Sequence, residues 1–295
     1  MEKVAVLLAA YNGRQWIDEQ LQSILSQEGA NLDIYISVDL SSDETYSYLT
    51  RKYNLYNNIF ILPYGERFGS AGKNFFRLVR EVNFDNYSCV AFSDQDDIWC
   101  RQKLKRAFSI IDQGYDAYSG NVTAFWENGK KCIINKAQKQ VQFDYLFEAA
   151  GPGCTYVFTK KLAQAFQDFL KESAEANSVA LHDWLLYAFA RSNSYKWYID
   201  NESHMLYRQH NLNEVGANNS IKAWKKRISL VRKGWYKNEV YKLVQLFNKQ
   251  CDPLISNAFS PNYFNKLFLA ASTGKLRRRS RDRITLSLFL ILNIF

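Results

Sequence analysis

Residues 4–10 are seven consecutive apolar positions with no polar alternation, closed by Tyr11-Asn12-Gly13. A strand that is apolar at every position buries both of its faces, as strands do in parallel sheets covered by helices on each side. The chain continues in kind. Ile17, Leu21, Ile24 and Leu25 recur at helical spacing, residues 34–38 read as a second buried strand, and Ser41 with Glu44 predicts a capping box for a helix carrying Tyr48 and Leu49. A strand over 59–62, a helix over 71–82, a strand over 89–92 and a helix with Leu104, Phe108 and Ile111 on one face extend the alternation. The expected class is α/β: a mostly parallel, doubly wound sheet flanked by helices, with its ligand site at the carboxyl ends of the strands.

Beyond about residue 117 the rhythm loosens into short strands at 122–125 and 156–158, a helix at 161–170 and an aromatic-rich helix at 183–189, a mixture suited to receiving a second substrate. From about residue 220 the character changes. Sixteen Lys and Arg stand against three acids in 220–295, a net charge of +13, so residues 1–219 carry −4 of the chain's +9. The chain divides accordingly into an α/β domain, 1–219, and a basic helical C-terminal region, 220–295. The surplus directs the second region toward phosphates or anionic lipid and leaves an acidic body suited to a cation. Its last stretch, 284–295, is almost wholly apolar, but twelve residues fall short of the roughly 20 that cross a bilayer. With Trp224, Trp235, Tyr236 and the Arg-rich run 277–281, it fits a segment that dips into a headgroup boundary or one that meets another subunit, which leaves a homodimer open. Five scattered cysteines without metal spacing, and no charged-then-apolar leader, point to a cytoplasmic protein, peripheral at the inner face of the plasma membrane.

Two strand ends concentrate polar chemistry. Asp39, Ser41, Asp43 and Thr45 follow the second strand, and Ser93-Asp94-Gln95-Asp96-Asp97-Ile98-Trp99 follows the fourth. Three carboxylates this close repel one another unless a cation or a ring of donors stands among them. A hard divalent ion, Mg²⁺ or Mn²⁺, shared with substrate phosphate is the economical guest, and an acidic turn capping the next helix is the alternative.

The segments AAYNG, SVDLSSDET, GSAGKN, SDQDDIW, GPGCT, HDW and YRQHNLNEVG occur in that order within residues 1–216. Together they resemble the family 2 glycosyltransferases of GT-A (Rossmann-like) fold, and among these the rhamnosyltransferase-like branch that builds bacterial O-antigens, capsules and cell-wall polysaccharides. The resemblance implies an inverting, metal-dependent transfer of a sugar to a saccharide carried on undecaprenyl diphosphate. The donor it favours is dTDP-rhamnose, with a UDP-hexose as the alternative. It assigns the nucleotide-sugar donor to Ala10, Tyr11, Asn12, Asp39, Lys73, Asn74, Asp94, Gln95 and Arg208, and the metal to Asp96 and His210. The acceptor falls to Trp99, Gly151, Gly153, Cys154, His182 and Trp184, and the general base to Asp183. In this scheme Asp39 meets the nucleotide base, Arg208 pairs with phosphate as a planar fork can, and Asp183 removes the proton of the attacking hydroxyl. Where many members carry two adjacent acids, this chain has Asp39-Leu40. A nucleotidyltransferase would show a glycine-rich, Arg/Lys-bearing loop after the first strand, and Ala9-Ala10-Tyr11-Asn12-Gly13 offers none. Nucleic acid is not an expected partner.

Overall fold

A computed structural model describes residues 2–210, 229 and 231–295. Its first half follows the alternation read from the sequence: β1 (Glu2–Ala10), α1 (Ile17–Leu25), β2 (Ala30–Val38), α2 (Thr45–Tyr53), β3 (Ile59–Ile61), α3 (Ala71–Glu81) and β4 (Cys89–Asp94). The four strands are parallel, in the order β3-β2-β1-β4. Val4, Val6, Leu8 and Ala10 point into one core with α1 and α2, and Ala5, Leu7 and Ala9 into a second with α3. That two-sided burial is why the β1 run shows no alternation, and each such Val or Leu contributes about 1.5–3 kcal/mol.

One local expectation fails. Helix α2 begins at Thr45, and Glu44 makes no side-chain cap. Ser41 is drawn away by a distant partner, accepting the Asn12 N–H at 3.0 Å, while Asp43 takes the Thr45 N–H at 3.0 Å. The long-range contact outcompetes the local box.

Past β5 (Ile98–Trp99) and α4 (Lys103–Ile111) the sheet turns mixed. It adds β6 (Ala117–Phe125), β7 (Lys131–Ile134), the short helix α5 (Asp144–Phe147), β8 (Val157–Thr159), α6 (Lys160–Glu172), α7 (His182–Ser192) and β9 (Trp197–Arg208). β8 lies antiparallel between β4 and β6, whereas β9 runs parallel to β6 and antiparallel to β5.

Helices α8 (Trp235–Leu246), α9 (Tyr263–Ala271) and α10 (Ser280–Ile291) close the described chain. Val240, Leu243, Leu269, Leu286, Leu290 and Phe295 are buried in the same core as α3, α6 and α7. The expected boundary at 219/220 and Trp224 lie outside the described residues. Part of the Arg-rich run, expected on a surface, turns inward: the Arg278 side chain is 1% exposed and meets the fully buried Asp144 at 2.8 Å. Asp144 sits inside α5 and needs charged partners, which Arg278 and Arg191 supply. Outward, α9 and α10 expose Phe264, Phe268, Ile284, Leu288 and Ile291. No helix among the described residues is long and apolar enough to cross a membrane.

Candidate active site

The chain leaves β1 toward β2 on one side, and β4 pairs on the other, so the connections diverge at the carboxyl ends and open a crevice. A cavity of about 790 Å³ occupies it. Ala9 stands opposite Asp94 in register, which brings the loop after β1 against the acidic turn after β4. The two lock together: the Tyr11 N–H donates to Gln95 Oε1 at 2.8 Å, and Gln95 Nε2 donates to the Tyr11 carbonyl at 2.7 Å. A Cβ on Gly13 would sit 1.9 Å from Gln95 Oε1, so only glycine admits this contact. Asp39 is buried and accepts the N–H groups of Leu40, Phe68 and Gly69, each at 2.8 Å. It thereby shapes the loop that carries Arg67 and Gly69 along the cavity wall. Asn74 ties the strand ends, donating to the carbonyls of Ala10 and Ser37 at 3.3 and 3.0 Å.

β9 runs beside β5 with Leu206 opposite Ile98, and so delivers the residues that follow it to the acidic turn. His210 Nε2 lies 2.7 Å from Asp96 Oδ2, with its ring stacked on Trp16 at a centroid distance of 3.9 Å. The side chains of His210 and Asp96 are only 9% and 11% exposed. Arg208 braces the turn from behind: its N–H donates to Asp97 Oδ1 at 3.0 Å, its Nε to the Asp96 carbonyl at 2.8 Å, and its Nη2 meets Glu19. Asp97 is wholly buried, and burial together with the charges of Asp96 and Asp94 holds its pKa well above the ordinary carboxylate value.

Ligand atoms of Asp94, Asp97 and Cys154 lie within 4.8 Å of one another. Asp97 and Cys154 nonetheless sit behind the cavity wall, and burial pushes both toward their neutral forms. The donors that open on the cavity are Asp94, Asp96 and His210, a carboxylate and imidazole set that suits Mg²⁺ or Mn²⁺.

At the other end stands Asp183, second residue of α7, its Oδ1 accepting the Trp184 N–H at 2.7 Å. Burial raises its pKa to about 6, against the pull of backbone N–H donors and the positive charge of Lys136. His182 stacks on Phe75 at 3.9 Å, and burial lowers its pKa to about 3, so the ring is neutral near pH 7. A Cβ on Gly153 would lie 2.7 Å from His182 Nε2 and 3.0 Å from Asp183 Cβ, so the glycine loop and the head of α7 touch directly. From α8, Glu239 accepts the Ala180 N–H at 2.8 Å and pins the segment leading to Asp183.

Of the residues expected from the sequence, Ala10, Tyr11, Asn12, Asp39, Asn74, Asp94, Gln95, Asp96, Gly151, Gly153, His182, Asp183 and His210 all line this one cavity. Five do not. Lys73 is exposed on the first turn of α3, whose cap is the Ser70 hydroxyl. Trp99 is core, 2% exposed, with the Lys103 ammonium 3.2 Å from its ring centroid. Trp184 is also core, donating from Nε1 to the Tyr145 carbonyl at 2.9 Å, and Cys154 is fully buried. Arg208 is spent on Asp96, Asp97 and Glu19 rather than lining the cavity. Conversely, Trp16, Arg67, Lys136, Arg279 and Arg281 line the cavity without having been expected there. Trp16, close behind the AAYNG loop, is the one that proximity in sequence could have flagged.

A switch-point crevice with an acid–imidazole pair at one end and a raised-pKa carboxylate at the other suits an α/β enzyme of group transfer. The chain belongs to a family of such enzymes: the model named Glycosyl transferase family 2 matches residues 5–162. Over 291 residues, 98% of this chain and 100% of the relative, it is 47% identical to the dTDP-rhamnosyl transferase RfbG of Shigella flexneri. It is 26% identical over 167 residues, 55% of this chain and 62% of the relative, to the Escherichia coli UDP-Glc:alpha-D-GlcNAc-diphosphoundecaprenol beta-1,3-glucosyltransferase WfgD. Among solved structures it is similar to S. aureus TarS 1–349 in complex with UDP-GlcNAc, with a TM-score of 0.56 at 14% identity, covering 99% of this chain and 89% of that one. It is also similar to the mannosyltransferase PcManGT of Pyrobaculum calidifontis in complex with GDP-Man and Mn²⁺, with a TM-score of 0.55 at 15% identity, covering 98% and 84%. These two likenesses carry the GT-A fold. The chain is a glycosyltransferase.

Proposed function

We propose that the chain moves L-rhamnose from dTDP-rhamnose, with inversion and with Mg²⁺ or Mn²⁺, onto a saccharide carried on a lipid diphosphate. The donor reading is supported by similarity, along nearly the whole chain, to a protein named as a dTDP-rhamnosyl transferase. The acceptor reading draws on a relative named for a diphosphoundecaprenol substrate. One observation carries the chemistry: Asp183, with a pKa near 6, opens on the same cavity as the Asp96–His210 pair.

On this reading the loop 10–12, Asp39, Asn74 and Gln95 hold the nucleotide, and Asp94, Asp96 and His210 would hold the cation. A divalent ion there supplies neutralisation of the charge that builds on a departing diphosphate. Asp183 accepts the proton of the acceptor hydroxyl at a carboxylate oxygen, and His182 stays neutral beside it. One base facing the side opposite the leaving group gives a single displacement, hence inversion. The exposed apolar face of α9 and α10, together with the basic surplus of 220–295, supports peripheral seating on an anionic bilayer, where each Lys or Arg is worth about 1 kcal/mol.

The test is transfer of radiolabelled sugar to a synthetic lipid-diphosphate saccharide, from dTDP-rhamnose and in parallel from UDP-glucose and UDP-N-acetylglucosamine. Label should pass only from dTDP-rhamnose. Transfer from a UDP-sugar alone would replace the donor reading, and full activity of Asp183→Asn would remove the base. Sedimentation with anionic vesicles should weaken for Phe264→Ser/Phe268→Ser, and unchanged sedimentation would refute the membrane reading.

A further inference from the structure

The end of the cavity beyond Asp183 gathers more cations, Lys136, Arg277, Arg279 and Arg281, than the neighbouring acids Glu148 and Asp282 balance. Two of the arginines there are compensated: Arg277 stands 3.8 Å from Glu148 and 3.6 Å from Asp282, and Arg278 closes on Asp144 at 2.8 Å. Three further cations line the same wall. Lys136 makes no side-chain hydrogen bond or ion pair among the described residues; its stem passes beside Gly151, where a Cβ would lie 3.6 Å from Lys136 Cβ. Its charge reaches Asp183, and burial lowers its own pKa against the opposing charge of Glu148. Arg279 makes no close ion pair among the described residues and shares the charge of Asp282 with Arg281, which meets it at 3.5 Å. Helix α10, twelve residues long, begins within this group with no side-chain cap, and Asp282 in its first turn offsets only part of its partial positive charge.

Cations gathered in a concave wall in excess of their counter-ions are costly unless an anion completes them. The hydroxyl that Asp183 deprotonates must belong to a sugar lying between this wall and the donor end. We propose that Lys136, Arg279 and Arg281, with the head of α10, form an anion subsite that grips the diphosphate of a lipid-linked acceptor and so sets its sugar against Asp183. The proposal rests on the transfer reading above and names the acceptor group that reading leaves unplaced. Arginine forks and a helix N-terminus both suit phosphate oxygens. Bilayer headgroups offer phosphate oxygens as well, so the test separates the two sources.

The experiment titrates the full chain, with dTDP and Mn²⁺ saturating the donor end, with farnesyl diphosphate, with farnesol, and with phosphatidylglycerol vesicles. Farnesyl diphosphate should bind without being displaced by dTDP, and farnesol should not bind. Lys136→Met and Arg279→Gln should each weaken farnesyl diphosphate about tenfold, the loss of one charge-assisted hydrogen bond, while vesicle binding and dTDP affinity hold. Unchanged affinity in both variants overturns the proposal, as does displacement by excess dTDP. A parallel tenfold fall in vesicle binding also overturns it, by reassigning the cluster to headgroups. Should Arg279→Gln lower the unfolding midpoint, Lys136→Met, which keeps the packed stem, decides alone. The readout is binding, so a chain that fails to transfer rhamnose yet shows this pattern refutes the donor reading and leaves the subsite standing.

Discussion

Replacing Asp183 by Asn should make the enzyme nearly inactive and the fold more stable, with a pH signature that separates this from ordinary repacking. In the folded chain the Asp183 pKa rises from 3.8 to about 6, chiefly through burial. At 1.36 kcal/mol per pKa unit, keeping this carboxylate ionised at pH 7 costs about 3 kcal/mol as an upper bound, and about 1–3 kcal/mol once partial solvent access is allowed for. Between pH 3.8 and about 6 the folded state holds the proton that the unfolded chain has released, so stability falls as pH rises through this window. Asn cannot ionise, and its Oδ1 can still accept the Trp184 N–H. Urea unfolding of both proteins from pH 4 to 8 should therefore show curves that coincide at the acid end and separate by about 1–3 kcal/mol above pH 7, the variant being the more stable. In the same preparations kcat should fall by about 10²–10⁴, the usual contribution of a general base. Equal stability of the two proteins at pH 7.5, or a gap that does not change with pH, would refute the reasoning about the carboxylate's surroundings.

Gly153→Ala places a methyl 2.7 Å from His182 Nε2 and 3.0 Å from Asp183 Cβ, so kcat should drop at least tenfold in the transfer assay with little change in donor affinity. Trp184→Phe should lower Tm through the lost bond to the Tyr145 carbonyl and leave KM for both substrates unchanged, because the ring is core. Asp144→Asn leaves the buried Arg278 and the neighbouring Arg191 short of counter-charge and should cost about 3–5 kcal/mol of unfolding free energy by denaturant titration.

The legible part of the molecule is the part with strict periodicity. β1 through α4 could be read because burial on both faces of a parallel sheet leaves unbroken apolar runs, and their ends located the acidic turn and the AAYNG loop. β9 stayed hidden because Asp200, Asn201, Glu202, Ser203 and His204 break its apolar pattern, yet Asp200 is fully buried, held by Arg106 at 2.8 Å and Tyr118 at 3.1 Å. Strands paired through polar side chains leave no hydrophobic signal. The tryptophans misled for the converse reason: beside the motifs in sequence, Trp99 and Trp184 turn from the crevice into the two cores. Lys136 and Arg279 carry ordinary surface-type charges, and they reach one wall through the anchoring of Arg277 and Arg278 on residues 147–150, which no local pattern announces.

The most direct test of the central claim, that Asp96 and His210 hold a divalent ion on which donor binding depends, is calorimetric titration of dTDP-rhamnose with and without Mn²⁺. It should be run on the wild-type chain, Asp96→Ala and His210→Ala. The account predicts binding to the wild-type chain that weakens at least tenfold in chelator, and variants that gain nothing from Mn²⁺. Donor affinity that is the same with and without metal, and the same in all three proteins, would contradict it.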